Sequence, residues 1–172
     1  MATITRTSTR ASVSLVSLAR SSAIAGLIIG VLGGIDYLIF FRLTQHLGPI
    51  AVFQYIASGL LGPAAFAGGN TTALLGFLIH FGISFVVAAV FIVAASQIAV
   101  LRRTVFLSAL VYGAAVNTFM SMVVLPYSAA PKMPVTTVLI VHGLIGDALI
   151  VGLPLALTVW LAARESKARL AM

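Results

Sequence analysis

The chain has 172 residues, 61% of them hydrophobic and 8% charged, with 10 Lys and Arg against 3 Asp and Glu. A soluble domain carries about a quarter charged residues, so a mean hydropathy of +1.18 places this chain in a bilayer rather than in water. Lack of cysteine excludes a disulfide scaffold, and high hydrophobicity excludes a disordered tail.

Four apolar stretches are long enough to cross a hydrocarbon core, which takes roughly 20 helical residues. Residues 1–21, rich in Ser, Thr and Arg, read as a cytoplasmic tail because no small-residue cleavage site follows a short apolar run. The first span covers about 22–41. It carries Gly26, Gly30 and Gly34 in two overlapping GxxxG patterns, followed by Asp36. Such spacing lets a second helix approach closely, either within this chain or in a dimer.

A long connection follows, from Arg42 to Thr71. Its middle, residues 49–62, is apolar but too short to span, and suits a short interfacial or re-entrant helix. Asn70-Thr71-Thr72 matches a glycosylation pattern and reads better as the cap of the next helix. The second span, about 72–101, carries Gly76, His80 and Ser84 at i, i+4 and i+8, and stops at Arg102-Arg103. Gly113, Asn117 and Ser121 repeat that spacing in the third span, about 104–126. The fourth, about 134–163, places His142 on a face with Gly146, and Gly143 on a face with Asp147. A tail of residues 164–172 closes the chain. Alternating polar and apolar residues, as in a membrane barrel, are absent. The expected fold is an all-α bundle of four transmembrane helices.

Charge gives the direction. With both termini on one side, that side holds Arg6, Arg10, Arg20, Arg102, Arg103, Arg164, Lys167 and Arg169, and the other only Arg42 and Lys132. The positive-inside rule puts both termini in the cytoplasm. The high pI of about 10.9 is therefore an orientation signal, and no nucleic-acid partner is expected because no basic face forms.

The informative residues are the polar ones inside the spans: Asp36, His80, Asn117, His142 and Asp147. A charge at the centre of a span costs on the order of 3 kcal/mol, so such residues face the bundle and find partners. At 1.5 Å per residue the first four fall near one level in the outer half of the bilayer, with Asp147 about 7 Å deeper. Four readings are open for this layer. It hydrogen-bonds the helices together, or it passes protons or small solutes, since His titrates near neutral pH. A third reading is a metal or haem held between His80 and His142, giving a redox protein. A fourth uses the glycine face of span one, making the chain an accessory subunit or homo-oligomer. No close ligand motif such as HxxxH occurs, and no nucleotide-binding or nucleophile-elbow motif is present. We therefore expect a non-enzymatic protein without a cofactor, whose main partner is lipid. Laying Leu78-Ile79-His80 over Ile140-Val141-His142 further suggests a weak internal repeat about the membrane normal.

Several of these segments together resemble a known family. Gly26, Gly30 and Asp36, the stretch from Gln54 to Gly62, the Gly76–His80–Ser84-Phe85 stripe, Gly113, Leu125-Pro126-Tyr127-Ser128 and His142-Gly143 resemble the YagU-like bacterial inner-membrane proteins, over about residues 22–160. The resemblance implies a multi-pass protein of the bacterial inner membrane. It carries over no catalytic or ligand residue.

Overall fold

The fold is that of a computed structural model, which describes residues 15–170 and the side chains of 18–164. Among the described residues every regular element is helical. The basic-tail residues 1–14 lie outside them, as does the end of the second tail.

Helix α1 runs from Leu15 to Gln45. At 1.5 Å per residue its 31 residues measure about 46 Å, well over the roughly 30 Å hydrocarbon thickness. It therefore begins inside the segment expected to be tail, since Ser and Arg end the apolar run without ending a helix. It stops at His46, which takes a left-handed φ of 55°, while the Leu47 N–H turns back to the Phe41 carbonyl at 3.2 Å. Helix α2, Pro49–Leu61, starts on a proline whose missing N–H costs nothing in a first turn. A tighter 3₁₀ stretch, Gly62–Ala67, extends it.

Helix α3, Gly69–Gln97, follows a Gly68-Gly69 turn in which Gly69 has φ +56°. Its cap is thus the glycine pair and not Asn70. Thr72 lies inside the helix and donates to the Ala65 carbonyl at 2.6 Å. Ile98 is extended and ends α3 earlier than Leu101, leaving Ala99–Arg103 as a separate short helix, α4. Arg102 folds back to donate to the Ala95 and Ser96 carbonyls, so the guanidinium satisfies the open end of α3.

The last two spans are not plain α-helices. Helix α5, Val105–Phe119, passes into a π-helical turn, Met120–Val124, and then α6, Leu125–Tyr127. Likewise α7, Thr137–Gly146, passes into a π turn, Asp147–Gly152, and then α8, Leu153–Leu170. Each π turn lies just ahead of a proline, Pro126 or Pro154. A proline lacks an N–H and clashes with the carbonyl four residues back, here Met122 or Ile150, and the wider turn absorbs both problems. The fourth span begins at Thr137, not Pro134, because the Thr136 hydroxyl caps it by accepting from the Leu139 N–H at 3.2 Å.

Five helical segments are long and apolar enough to cross a membrane: Leu18–Gln45, Pro49–Ala67, Gly69–Gln97, Val105–Tyr127 and Thr137–Arg164. The sequence suggested four, and the addition is Pro49–Ala67, which the 3₁₀ stretch lengthens to 19 residues. Its aromatic and hydrogen-bonding contacts lie toward one end of the bundle. Phe53 packs on Phe77 and His80, Tyr55 on Phe41, and the Gly59 carbonyl accepts from the Ala129 N–H. Tyr55 also donates to the Pro131 carbonyl at 3.3 Å.

Burial runs the way a bilayer requires. Large side chains such as Leu43, Phe106 and Leu110 point outward, while Ala25, Ala57, Ala88, Ala95, Ala109 and Ala156 fill the interior. Without a hydrophobic drive between helices, close approach of small residues is what holds a bundle in lipid. Gly76 lies on the Phe53 carbonyl of α2, Gly113 on the backbone of Ala148, and Gly152 on the backbone of Ala109. A compact apolar core of Ala25, Ile29, Ala88, Phe91, Ile92, Ala109 and Leu155 fills the half of the bundle away from α2. Here the Tyr112 ring meets Phe91 at 4.8 Å, and its hydroxyl donates to the Val87 carbonyl at 2.6 Å.

Candidate functional site

Above that core the bundle opens. A cavity of about 490 Å³ lies between α1, α2, the α5–α6 rod and α7. Asp36, Asn117, His142 and Asp147 all line it, so four of the five polar residues singled out in the sequence converge.

Asp36 and His142 form the centre of the group. The His142 Nε2 lies 3.2 Å from Asp36 Oδ1, and each side chain keeps 23% exposure, toward the cavity. Phe40, one turn beyond Asp36, stacks flat on the His142 ring at 3.7 Å and 18°. The imidazole is thus held by a carboxylate at one edge and an aromatic face on one side, which fixes its orientation. The second carboxylate oxygen of Asp36 points toward Gly146, where the lack of a side chain keeps the space open. Asn117 fits into the notch left by Gly143 and lies against the Asp147 carboxylate. Asp147 itself opens the π turn of the fourth span, and Asn117 precedes the π turn of the third by three residues. Both wide turns therefore flank the polar group, where π turns are often found at working sites.

His80 is placed differently. Its Nε2 is 2.8 Å from the Gly30 carbonyl, so the proton sits there and the ring donates. It is buried against Tyr37, Phe53 and Phe81. Gly33 and Gly34 of α1 lie against its ring. A second cavity of about 110 Å³ lies between His80 and Ser84 on one side and Tyr37, Asp36 and Asp147 on the other. His80 thus borders the polar group without joining it.

These positions bear on the other readings of the layer. Each histidine turns its Nε2 to a partner within the chain, Gly30 for His80 and Asp36 for His142. His80 borders the small cavity and His142 the large one, and among the described residues no three His, Asp or Glu side chains are grouped to hold a metal. The glycine face of α1 is occupied inside the chain, with Gly26 against Phe85, Gly30 against Phe81 and Gly34 against His80.

Several residues that shape the site lie outside the polar set. Tyr37, Phe40 and Phe41 form one wall and Tyr55 of α2 another. Their signal was present: Tyr37 and Phe40 follow Asp36 by one and four residues, and residues four apart share a helix face. Lys132, counted in the sequence only for its charge, has its ammonium donating to the Leu125, Pro126 and Ser128 carbonyls at 2.6, 3.2 and 3.2 Å. It closes the open end of α6 and fixes the loop over the cavity.

Fold and site together define an all-helical membrane protein with a polar chamber near one end of its bundle. No family model, curated protein or solved structure matches the chain.

Proposed function

We propose that the protein is a four-span, non-enzymatic protein of the bacterial inner membrane that admits a small solute or proton from the outer face into the chamber around Asp36 and His142. The carrying observation is the 490 Å³ cavity lined by that pair, with the apolar core filling the other half of the bundle. Pockets of 300–1,000 Å³ are the size that small ligands occupy. Passage to the other side then requires the core to loosen. The π turns at Met120–Val124 and Asp147–Gly152 are the places where the helices are already distorted.

The contacts of α2 support the four-span count. Its aromatic and hydrogen-bonding contacts go to Phe41, Phe77 and His80 of α3 and the loop at Ser128–Pro131, which supports a cap that dips into the outer leaflet. A crossing helix would touch its neighbours along their length. Orientation rests on the basic residues, eight of ten on the side of both termini. The bacterial inner membrane itself rests on the resemblance to the YagU-like proteins.

The chain has no cysteine, so a single introduced thiol is unique. Ser121→Cys, in the chamber wall, is expected to react with a membrane-impermeant maleimide applied to the outer face, and Ala88→Cys, in the closed core, is expected not to. Failure of Ser121→Cys to react from outside, or reaction only from the cytoplasmic face, contradicts the proposal.

A further inference from the structure

The chemistry of the chamber narrows what it can hold. Two carboxylates, Asp36 and Asp147, face it, and the one base among its lining residues is His142. Even with His142 charged, one negative charge is left over, and among the described residues Asp36–His142 is the only ion pair. Three other basic side chains stand at this end and none lines the chamber: Arg42 donates to the His46 carbonyl, Lys132 to the end of α6, and the His46 side chain is exposed past the end of α1. An anion would therefore meet repulsion without a cation to receive it.

The remaining walls are apolar and aromatic. Tyr37, Phe40, Phe41, Tyr55 and Tyr127 supply five ring systems around the space. A Ca²⁺ or Mg²⁺ ion needs about six oxygen ligands, which these walls do not offer, and among the described residues no three His, Asp or Glu side chains are grouped to hold another metal. A sugar needs many hydrogen-bonding groups. A cation with an apolar body needs what is present: a carboxylate for its head, aromatic faces for its charge, and apolar wall for the rest.

We propose that the chamber binds a monovalent organic amine of drug-like size, its ammonium seated between Asp36 Oδ2 and the Asp147 carboxylate and its apolar body against the ring systems of α1 and α2. This rests on the chamber being open to the outer face, as proposed above, and names the class of solute it takes. Asn117 positions Asp147, and the His142–Phe40 pair positions Asp36.

The full chain in lipid nanodiscs is tested with three probes of one shape: 2-phenylethylammonium, neutral 2-phenylethanol and anionic phenylacetate. Binding is measured by equilibrium dialysis against empty nanodiscs. The amine is expected to bind at least tenfold tighter than the alcohol, with no binding of the carboxylate. Asp147→Asn is expected to weaken the amine at least tenfold and leave the alcohol unchanged. Should that variant fail to fold, Ser121→Trp, which fills the chamber from its rim, is expected to abolish amine binding at unchanged melting temperature. Equal binding of amine and alcohol overturns the amine assignment and leaves an outward-open chamber standing. Absence of amine binding overturns it too, and the labelling of Ser121→Cys then tells whether the chamber itself is open.

Discussion

The bundle contains two histidines at nearly one depth, and it treats them in opposite ways. His80 sits in the α1–α3 seam, where glycines bring the helices together and the ring is spent on the Gly30 carbonyl. His142 sits where α1, the α5–α6 rod and α7 draw apart, faces a cavity, and is paired with a carboxylate. The seam uses small residues to exclude everything, and the junction uses polar residues beside empty space. A polar residue in a span is therefore not by itself a site. What separates the two is whether its hydrogen-bonding capacity is consumed by backbone or directed at a cavity.

Substitutions can sharpen or break this contrast. The largest effect is expected where backbone meets backbone. A side chain at Gly113 would fall on the main chain of Ala148, which cannot move aside, so Gly113→Leu is expected to yield no monodisperse protein by size-exclusion chromatography in mild detergent. Gly30 faces the Phe81 ring instead, which has somewhere to go, so Gly30→Ala is expected to fold with a lowered melting temperature. If the two variants behave alike, glycine packing does not discriminate the regions.

Next comes the closed core. Phe91 is fully buried against Tyr112. Phe91→Ala is expected to cost about 3–5 kcal/mol, measured by denaturant unfolding in detergent, without changing the reactivity of Ser121→Cys. Faster labelling in that background would mean that core and chamber are one unit. The histidines follow. His80→Ala removes an interhelical hydrogen bond and leaves a hole, expected to cost about 1–3 kcal/mol. His142→Ala opens onto existing space and is expected to cost about 1 kcal/mol or less. The reverse order would overturn the contrast. Smallest is Phe40→Leu, which removes only the face stacked on His142 and is expected to change stability by less than about 1 kcal/mol.

Much of this was legible in the chain. Long apolar runs between basic residues announce spans because only helices satisfy the backbone in lipid. The common level of Asp36, Asn117 and His142 follows from the fixed rise per residue. What sequence leaves open is rotation about each helix axis. His80 shares the depth of the others and points into a different seam, because Gly30, Gly33 and Gly34 of α1 make room for it there. The wide turns before Pro126 and Pro154 were equally out of reach. A proline marks where a helix must adjust, while the choice between kink, break and π turn depends on what packs alongside. The Gly68-Gly69 turn displaced Asn70 as the start of α3 for a similar reason: the tight return from the 3₁₀ stretch needs a positive φ, which asparagine tolerates less well than glycine.

The most direct test is an experimental density map of the full chain in a lipid nanodisc, at a resolution that shows ordered solvent. It is expected to show Asp36 and His142 paired, solvent or solute within hydrogen-bonding distance of Asp36 and Asp147, and a dry α1–α3 seam around His80. A lipid chain filling the space between α1, α2 and α7, or Asp36 and His142 apart with the cavity collapsed, would contradict the assignment of that junction as the working part of the molecule.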